Sequence, residues 1–372
     1  MRILHLANGN MFGGIETFLV TLARLEVEHD AFENHFLLSH RGRLLAELEA
    51  LSARPLVVEG VRLRNPWSVR HAREQCRLQV LASRPDAVVA HGPWSYVVFG
   101  QGLPTTEPLF FFQHGIAQRD PLHFLAARRA PLGVIAASSQ TASTTHFVFP
   151  GIDACICPLP VLLRRPVRAR NEVRSEFHVS EEPVIVNVAR LESGKGHSLL
   201  LEALGQLLER RWTLWIVGAH TRVSEERLRR DLEARARALG FADRVRFLGE
   251  RADVPDLLNA ADIFCQPSTE QEGFGIALLE AMGAGLPLVV TDQAAVADPV
   301  GPDIGRRVPP SPRPLAVALN ELLVDEQTRR RLGTGALARF NHEHQPVTAL
   351  AHLRDTLTKL CARTPSVHAK WA

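Results

Sequence analysis

The stretch Val184-Ile185-Val186-Asn187-Val188-Ala189-Arg190-Leu191-Glu192-Ser193-Gly194-Lys195-Gly196-His197 decides the fold. Its first six residues are a short apolar run rich in β-branched side chains, which predicts a buried strand. Two glycines and two cations then form a turn, and 197–210 has helix-favouring composition. Strand, glycine turn and helix in that order is the repeating unit of a doubly wound α/β sheet.

Working outward, the same unit recurs on both sides. Upstream, strands are predicted at 2–7, 34–39, 55–59, 86–91, 108–113 and 132–137, with helical stretches at 15–29, 43–52, 66–83 and 121–130. Downstream, a strand at 214–217 precedes a helix over 223–239, whose Leu228, Leu232 and Leu239 share one face before Gly240. Strands follow at 245–248, 262–266 and 287–291, and 327–363 is helical around a break near Pro346. The rhythm stops at 150–172, rich in proline and arginine, which reads as an interdomain linker. The chain therefore divides into a Rossmann-like domain over 1–165, a second over 166–345, and a helix over 346–372 returning towards the first. The fold class is α/β, with two doubly wound domains facing a cleft. In such sheets ligands gather at the carboxyl ends of the strands, so charged and glycine-rich residues just after a strand are the candidates.

Size and composition agree. A chain of 372 residues suits two domains, and 46% hydrophobic with 22% charged residues suits two soluble cores. A net charge of +3 fits an anionic substrate and does not call for nucleic acid. Five cysteines, with Cys155 and Cys157 one residue apart, lack metal spacing and read as reduced thiols of a cytoplasmic protein. The apolar start, 1–7, is too short for a signal peptide, and no run approaches the ~20 apolar residues of a spanning helix.

Arg190 and Lys195 project from the end of the decisive strand, the lysine just before a helix N-terminus. Two fixed cations beside a helix dipole suit a diphosphate whose charge grows as a bond breaks. The turn is not a Walker A loop: position 189 is alanine and no Ser or Thr follows Lys195. Alone, such cations are ordinary solvated charges. The partner segment is Glu272-Gly273-Phe274-Gly275-Ile276-Ala277-Leu278-Leu279-Glu280-Ala281-Met282-Gly283. Gly273 and Gly275 let the backbone approach a ligand, with their N–H groups ahead of a helix starting near Gly275. Glu272 adds an anion there, which makes sense for a carboxylate accepting hydrogen bonds from hydroxyls. Glu280 emerges from an otherwise apolar helix. Two carboxylates eight apart suit a polyhydroxyl ligand, one for a sugar and one for a ribose diol; a capped surface helix with two solvated glutamates is the plain alternative.

Together these segments resemble the donor site of the retaining glycosyltransferases of family four, which adopt the GT-B fold. Glu272 to Glu280 matches that family's E-x7-E pattern, and Arg190 to Lys195 its R-x4-K turn. The likeness extends to Met11-Phe12-Gly13-Gly14-Ile15-Glu16, to Pro85-Asp86-Ala87-Val88-Val89-Ala90-His91-Gly92, to Phe112-Gln113-His114-Gly115 and to Ala136-Ala137-Ser138-Ser139. The resemblance implies that Arg190 and Lys195 bind the donor diphosphate, Glu272 the transferred sugar and Glu280 the ribose. It implies sugar and phosphate contacts for Gly273, Phe274 and Gly275, loop closure on the diphosphate through Gly14, and a border to the base at Arg251 and Val254. His114 would lie near the anomeric carbon, where retention needs only the leaving phosphate to accept the acceptor's proton. Where the family often has a glycine pair and a glutamate, this chain has Ala294-Ala295-Val296-Ala297-Asp298. The expected co-substrate is a nucleotide-diphosphate sugar, with no cofactor and no metal, since no D-x-D motif occurs. The expected acceptor is a saccharide, a lipid-linked precursor or a small molecule.

Other signals are weaker. His91, Trp94 and Tyr96 offer a histidine and two flat surfaces for the acceptor, or plain core packing. The basic stretches 62–73 and 164–170 would serve peripheral contact with anionic lipid on the inner face of the membrane, or are surface arginine. A dinucleotide oxidoreductase is disfavoured because Gly9 to Gly14 does not read G-x-G-x-x-G. A nucleotide-sugar epimerase, a phosphorylase or a non-catalytic nucleotide-sugar binder would share the same cleft.

Overall fold

The computed structural model describes residues 1–10, 13–29, 32–218, 223–270, 275–293 and 300–362. It falls into two compact units: Met1–Leu162 with the chain from His344 onward, and Leu163–Glu343.

The first unit is built on seven parallel strands: β1 (Arg2–Ala7), β2 (Glu33–Leu38), β3 (Leu56–Val57), β4 (Ala87–His91), β5 (Leu109–Gln113), β6 (Gly133–Ala136) and β7 (Ala154–Ile156). Their order is β3-β2-β1-β4-β5-β6-β7, so the winding reverses between β1 and β4. β4 and β5 are buried at every position, as central strands covered by helices on both faces must be. The helix Pro66–Ser83 starts where Asn65 accepts from the N–H groups of Trp67 and Ser68 with proline in the first turn. The helix Pro346–Ala362 packs on this unit: a Cβ at Gly133 would stand 3.0 Å from the δ carbons of Leu360.

β7 corrects one expectation. Residues 150–172 are not linker throughout, because Ala154–Ile156 pairs with β6 as the edge strand. The prolines at 158 and 160 follow the paired residues, so the ladder loses no donor.

The second unit carries six parallel strands: β8 (Val184–Val188), β9 (Thr213–Val217), β10 (Val245–Gly249), β11 (Ile263–Gln266), β12 (Leu288–Thr291) and β13 (Gly305–Val308). The order is β10-β9-β8-β11-β12-β13, and the winding reverses between β8 and β11. Its core joins Ile185, Leu214, Ile216 and Ile263 to Leu200, Leu204, Leu315 and Leu319 of the covering helices. β13 was not anticipated because its sequence is Gly-Arg-Arg-Val. Arg306 pairs with Glu321 and Arg307 with Asp292, so this edge strand is held by charge as much as by burial. The five cysteines are all free thiols. Among the described residues no helix is long and apolar enough to cross a membrane.

Candidate functional site

In the second unit, the loops leaving β8 and β11 sit side by side where the winding reverses, the place where doubly wound sheets bind ligands. They are joined backbone to backbone: the N–H of Thr269 donates to Gly194 O at 2.9 Å, and that of Glu270 at 3.4 Å. Gly196 adopts a left-handed φ of +72°, and a Cβ there would stand 1.7 Å from Pro267 O. Only glycine satisfies both the dihedral and the close approach. Below the loops, Asn187 Nδ2 donates to Cys265 O at 2.8 Å. A Cβ at Gly218 would stand 1.9 Å from Ala189 O, and the N–H of Gly218 donates to Gly249 O at 2.8 Å. The ends of β8, β9, β10 and β11 thus form one locked rim.

On that rim Arg190 is exposed, its guanidinium 2.9 Å from Glu192 Oε1 with side-chain exposures of 45% and 30%. A pair this solvated contributes little, so a ligand phosphate can replace the carboxylate at small cost. Lys195 is half-buried at the end of the single turn Ser193–Lys195, which leads into the helix His197–Leu204. Buried His197 places its Nε2 3.0 Å from Arg190 O. A carbonyl only accepts, so Nε2 carries the hydrogen and the ring pins the turn's start. Sequence reasoning gave His197 no role; its signal was a histidine directly after the cationic turn.

The helix Ile276–Gly283 starts from Gly275 and buries Leu278, Leu279, Ala281 and Met282. Glu280 is half-buried on it, and burial pushes its carboxyl up to about 7, against the opposing pull of Arg164. Glu272, Gly273 and Phe274 lie outside the described residues, as do 294–298. The structure therefore places one carboxylate of the E-x7-E pair. Val254 opens the helix Val254–Ala260. Arg251 holds both oxygens of Asp253, at 2.7 and 2.6 Å, over the ring of Phe177. In this conformation its guanidinium braces the loop. A separate depression of about 590 Å³, lined by Arg170, Arg174, Asp262 and Arg330, lies by the amino ends of β11 and β12, away from this rim.

In the first unit, Gly14 starts the helix Gly14–His29, and buried Glu16 accepts from the N–H of Gly13 at 3.0 Å. At the reversal between β1 and β4 three buried histidines are chained. His114 Nε2 lies 2.8 Å from His91 Nδ1, and His91 Nε2 lies 2.9 Å from His5 Nδ1. His5 Nε2 is 3.0 Å from Asn34 Oδ1. Burial lowers all three: His5 to about 4, His114 to about 3, and His91 well below its ordinary value. His5 and Asn34 escaped sequence reasoning, although a histidine inside an apolar strand was the available sign.

The acceptor assignment of Tyr96 is corrected. Tyr96 is fully buried, edge-on to Phe111 and Phe149, and its hydroxyl donates to Arg129 O at 2.8 Å. It is a core residue with a satisfied polar tip. Trp94 is half-buried, edge-on to Phe99 and 6.5 Å from the ring of His40.

Residues 169–339 match the family model "Glycosyl transferases group 1". The mannosylfructose-phosphate synthase of Agrobacterium fabrum is 30% identical over 180 residues, 47% of this chain and 36% of that protein. The D-inositol 3-phosphate glycosyltransferase of Xylanimonas cellulosilytica is 31% identical over 59% of this chain and 52% of its own. The matches thus span about a third to a half of these relatives' lengths. Among solved structures, Anabaena HepE in complex with UDP aligns with a TM-score of 0.83 and 22% identity over 96% of this chain and 100% of that one. The same protein has been solved with UDP-glucose. At that identity the likeness is one of fold: two Rossmann-like parallel-sheet domains of the GT-B class.

Proposed function

We propose that this chain, whose residues 169–339 match the glycosyl transferases of group 1, moves a sugar from a nucleotide-diphosphate sugar to an acceptor hydroxyl. The observation that carries the reading is the rim of the second unit. The cationic turn and the loop after β11 are stitched together at the winding reversal, where no residue but glycine fits at 196. That rigidity pre-organises positive charge for a diphosphate, and fixed charge costs no reorganisation when the leaving group develops its own.

In this proposal Arg190 exchanges Glu192 for a phosphate oxygen and Lys195 takes the other phosphate. Glu280 receives the ribose hydroxyls, and Glu272 with the amides of Gly273, Phe274 and Gly275 receives the sugar. His114 contacts substrate hydroxyls. The configuration is retained, with the departing phosphate taking the acceptor's proton, and no divalent metal takes part. The complexes of HepE with UDP and UDP-glucose support a nucleoside diphosphate, with uridine the first base to test. Turnover with a panel of nucleotide sugars, with and without EDTA, tests this. Product of unchanged anomeric configuration in EDTA is expected; an inverted product, or loss of activity restored by Mn²⁺, would refute the corresponding part.

The first unit is proposed to supply the acceptor. Trp67 and Phe124 are 75% exposed, and Arg62, Arg64 and Arg70 are exposed near Trp67 in sequence. This supports peripheral contact with anionic lipid, and a chain that fails to sediment with anionic vesicles would exclude it.

A further inference from the structure

His5 ends a chain of hydrogen bonds whose direction is fixed at its far end. Glu26 Oε2 accepts both the backbone N–H of Asn34, at 3.1 Å, and its Nδ2, at 2.9 Å. The amide nitrogen of Asn34 is thereby committed to Glu26, and the amide oxygen is the atom 3.0 Å from His5 Nε2. An amide oxygen only accepts, so His5 carries its hydrogen on Nε2.

The rest follows ring by ring, because a neutral imidazole has one N–H and one lone pair. With Nε2 protonated, His5 Nδ1 is bare and accepts from His91 Nε2 at 2.9 Å. His91 Nδ1 is then bare and accepts from His114 Nε2 at 2.8 Å. His114 Nδ1 is left as a lone pair with no hydrogen-bond partner among the described residues. Aromatic rings hold the planes of the imidazoles. Phe36 stacks on His5 at 5.4 Å, Phe112 stacks on His114 at 4.2 Å, and Phe18 lies within 6 Å of both His91 and His114. Burial disfavours the charged form of every ring in the chain, which keeps the one-hydrogen rule in force at neutral pH.

We propose that Asn34, His5 and His91 are positioning residues that hold His114 as the neutral tautomer with bare Nδ1, so that it accepts a hydrogen bond from a substrate hydroxyl. The functional half of this rests on the reading that His114 meets substrate. The relay explains why three histidines are buried in one line. It also gives His114 a polarity: it receives a hydroxyl hydrogen and donates none to the leaving phosphate.

The test is long-range ¹H–¹⁵N NMR of the histidine rings at pH 7, in the unliganded protein and in two variants at position 5. In the parent, His5, His91 and His114 should each show a single tautomer with hydrogen on Nε2. His5→Gln keeps the polarity, since its amide can donate to Asn34 and accept from His91; it should preserve the His114 signature and turnover within a few-fold. His5→Leu removes both bonds and should leave His114 averaging two tautomers, with kcat down about tenfold or more and the donor KM little changed. A parent in which His114 carries its hydrogen on Nδ1, or is charged, overturns the relay. So does a His5→Leu variant with parental tautomer and parental kcat. A parent with the expected tautomers that turns over no nucleotide sugar sinks the transferase reading alone. If His5→Leu does not fold, the parent and His5→Gln spectra still decide the relay.

Discussion

Replacing Glu280 with glutamine separates a cost of folding from a gain in binding. Burial raises the Glu280 carboxyl from 4.5 to about 7. A folded value above the unfolded one means that the folded state disfavours the ionised form. The cost is absent below about pH 4.5, grows as pH rises, and is complete above about pH 7. A displacement of that size corresponds to at most about 3 kcal/mol, and nearer 2 after solvent screening of a half-buried group. Glu280→Gln keeps the shape and removes the charge, so it should match the parent's stability at pH 4.5 and exceed it by about 2 kcal/mol at pH 8. Urea denaturation of the unliganded protein at both pH values measures this. The same variant should bind nucleoside diphosphate more weakly, because a carboxylate accepts ribose hydroxyls more strongly than an amide does. A variant no more stable than the parent at pH 8, or equally stabilised at both pH values, would refute the buried-carboxylate account.

Three further substitutions probe other parts. Lys195→Ala should cut turnover by about 10²–10³-fold with an unchanged melting temperature, the usual cost of losing one pre-organised charge contact; full turnover would remove Lys195 from the site. Gly196→Ala faces both a left-handed φ and a 1.7 Å approach to Pro267 O, so it should cost more than about 2 kcal/mol in urea and abolish turnover; parental stability would show that the loops are not locked. Tyr96→Phe loses one buried hydrogen bond and should cost about 1 kcal/mol without changing kcat or KM; a changed acceptor KM would return Tyr96 to the acceptor.

The sheets were legible in the sequence wherever strands are buried on both faces, because burial writes a continuous apolar run. β8, β4 and β5 are such strands. β13 was not legible, since its two arginines are answered by Glu321 and Asp292 from elsewhere in the chain. β7 was hidden by the prolines that follow it. Within the site, the R-x4-K turn was legible because its glycines and cations are local in sequence. The histidine relay was not: it joins His5, Asn34, His91 and His114 from three strands and the loop after β5, and only the sheet order makes them neighbours. Tyr96 shows the converse, since an aromatic after a glycine turn gives no sign of which way it points.

The most direct test of the central claim is a thermal-shift panel of nucleoside diphosphates, nucleotide sugars and NAD(P), run on the parent and on Lys195→Ala. A ligand that binds only the folded state must raise its melting temperature. The account predicts a rise with a nucleoside diphosphate and its sugar conjugate, uridine tested first, and a loss of that rise in the variant. A rise with NAD(P) alone, or a nucleotide response indifferent to Lys195, would contradict it.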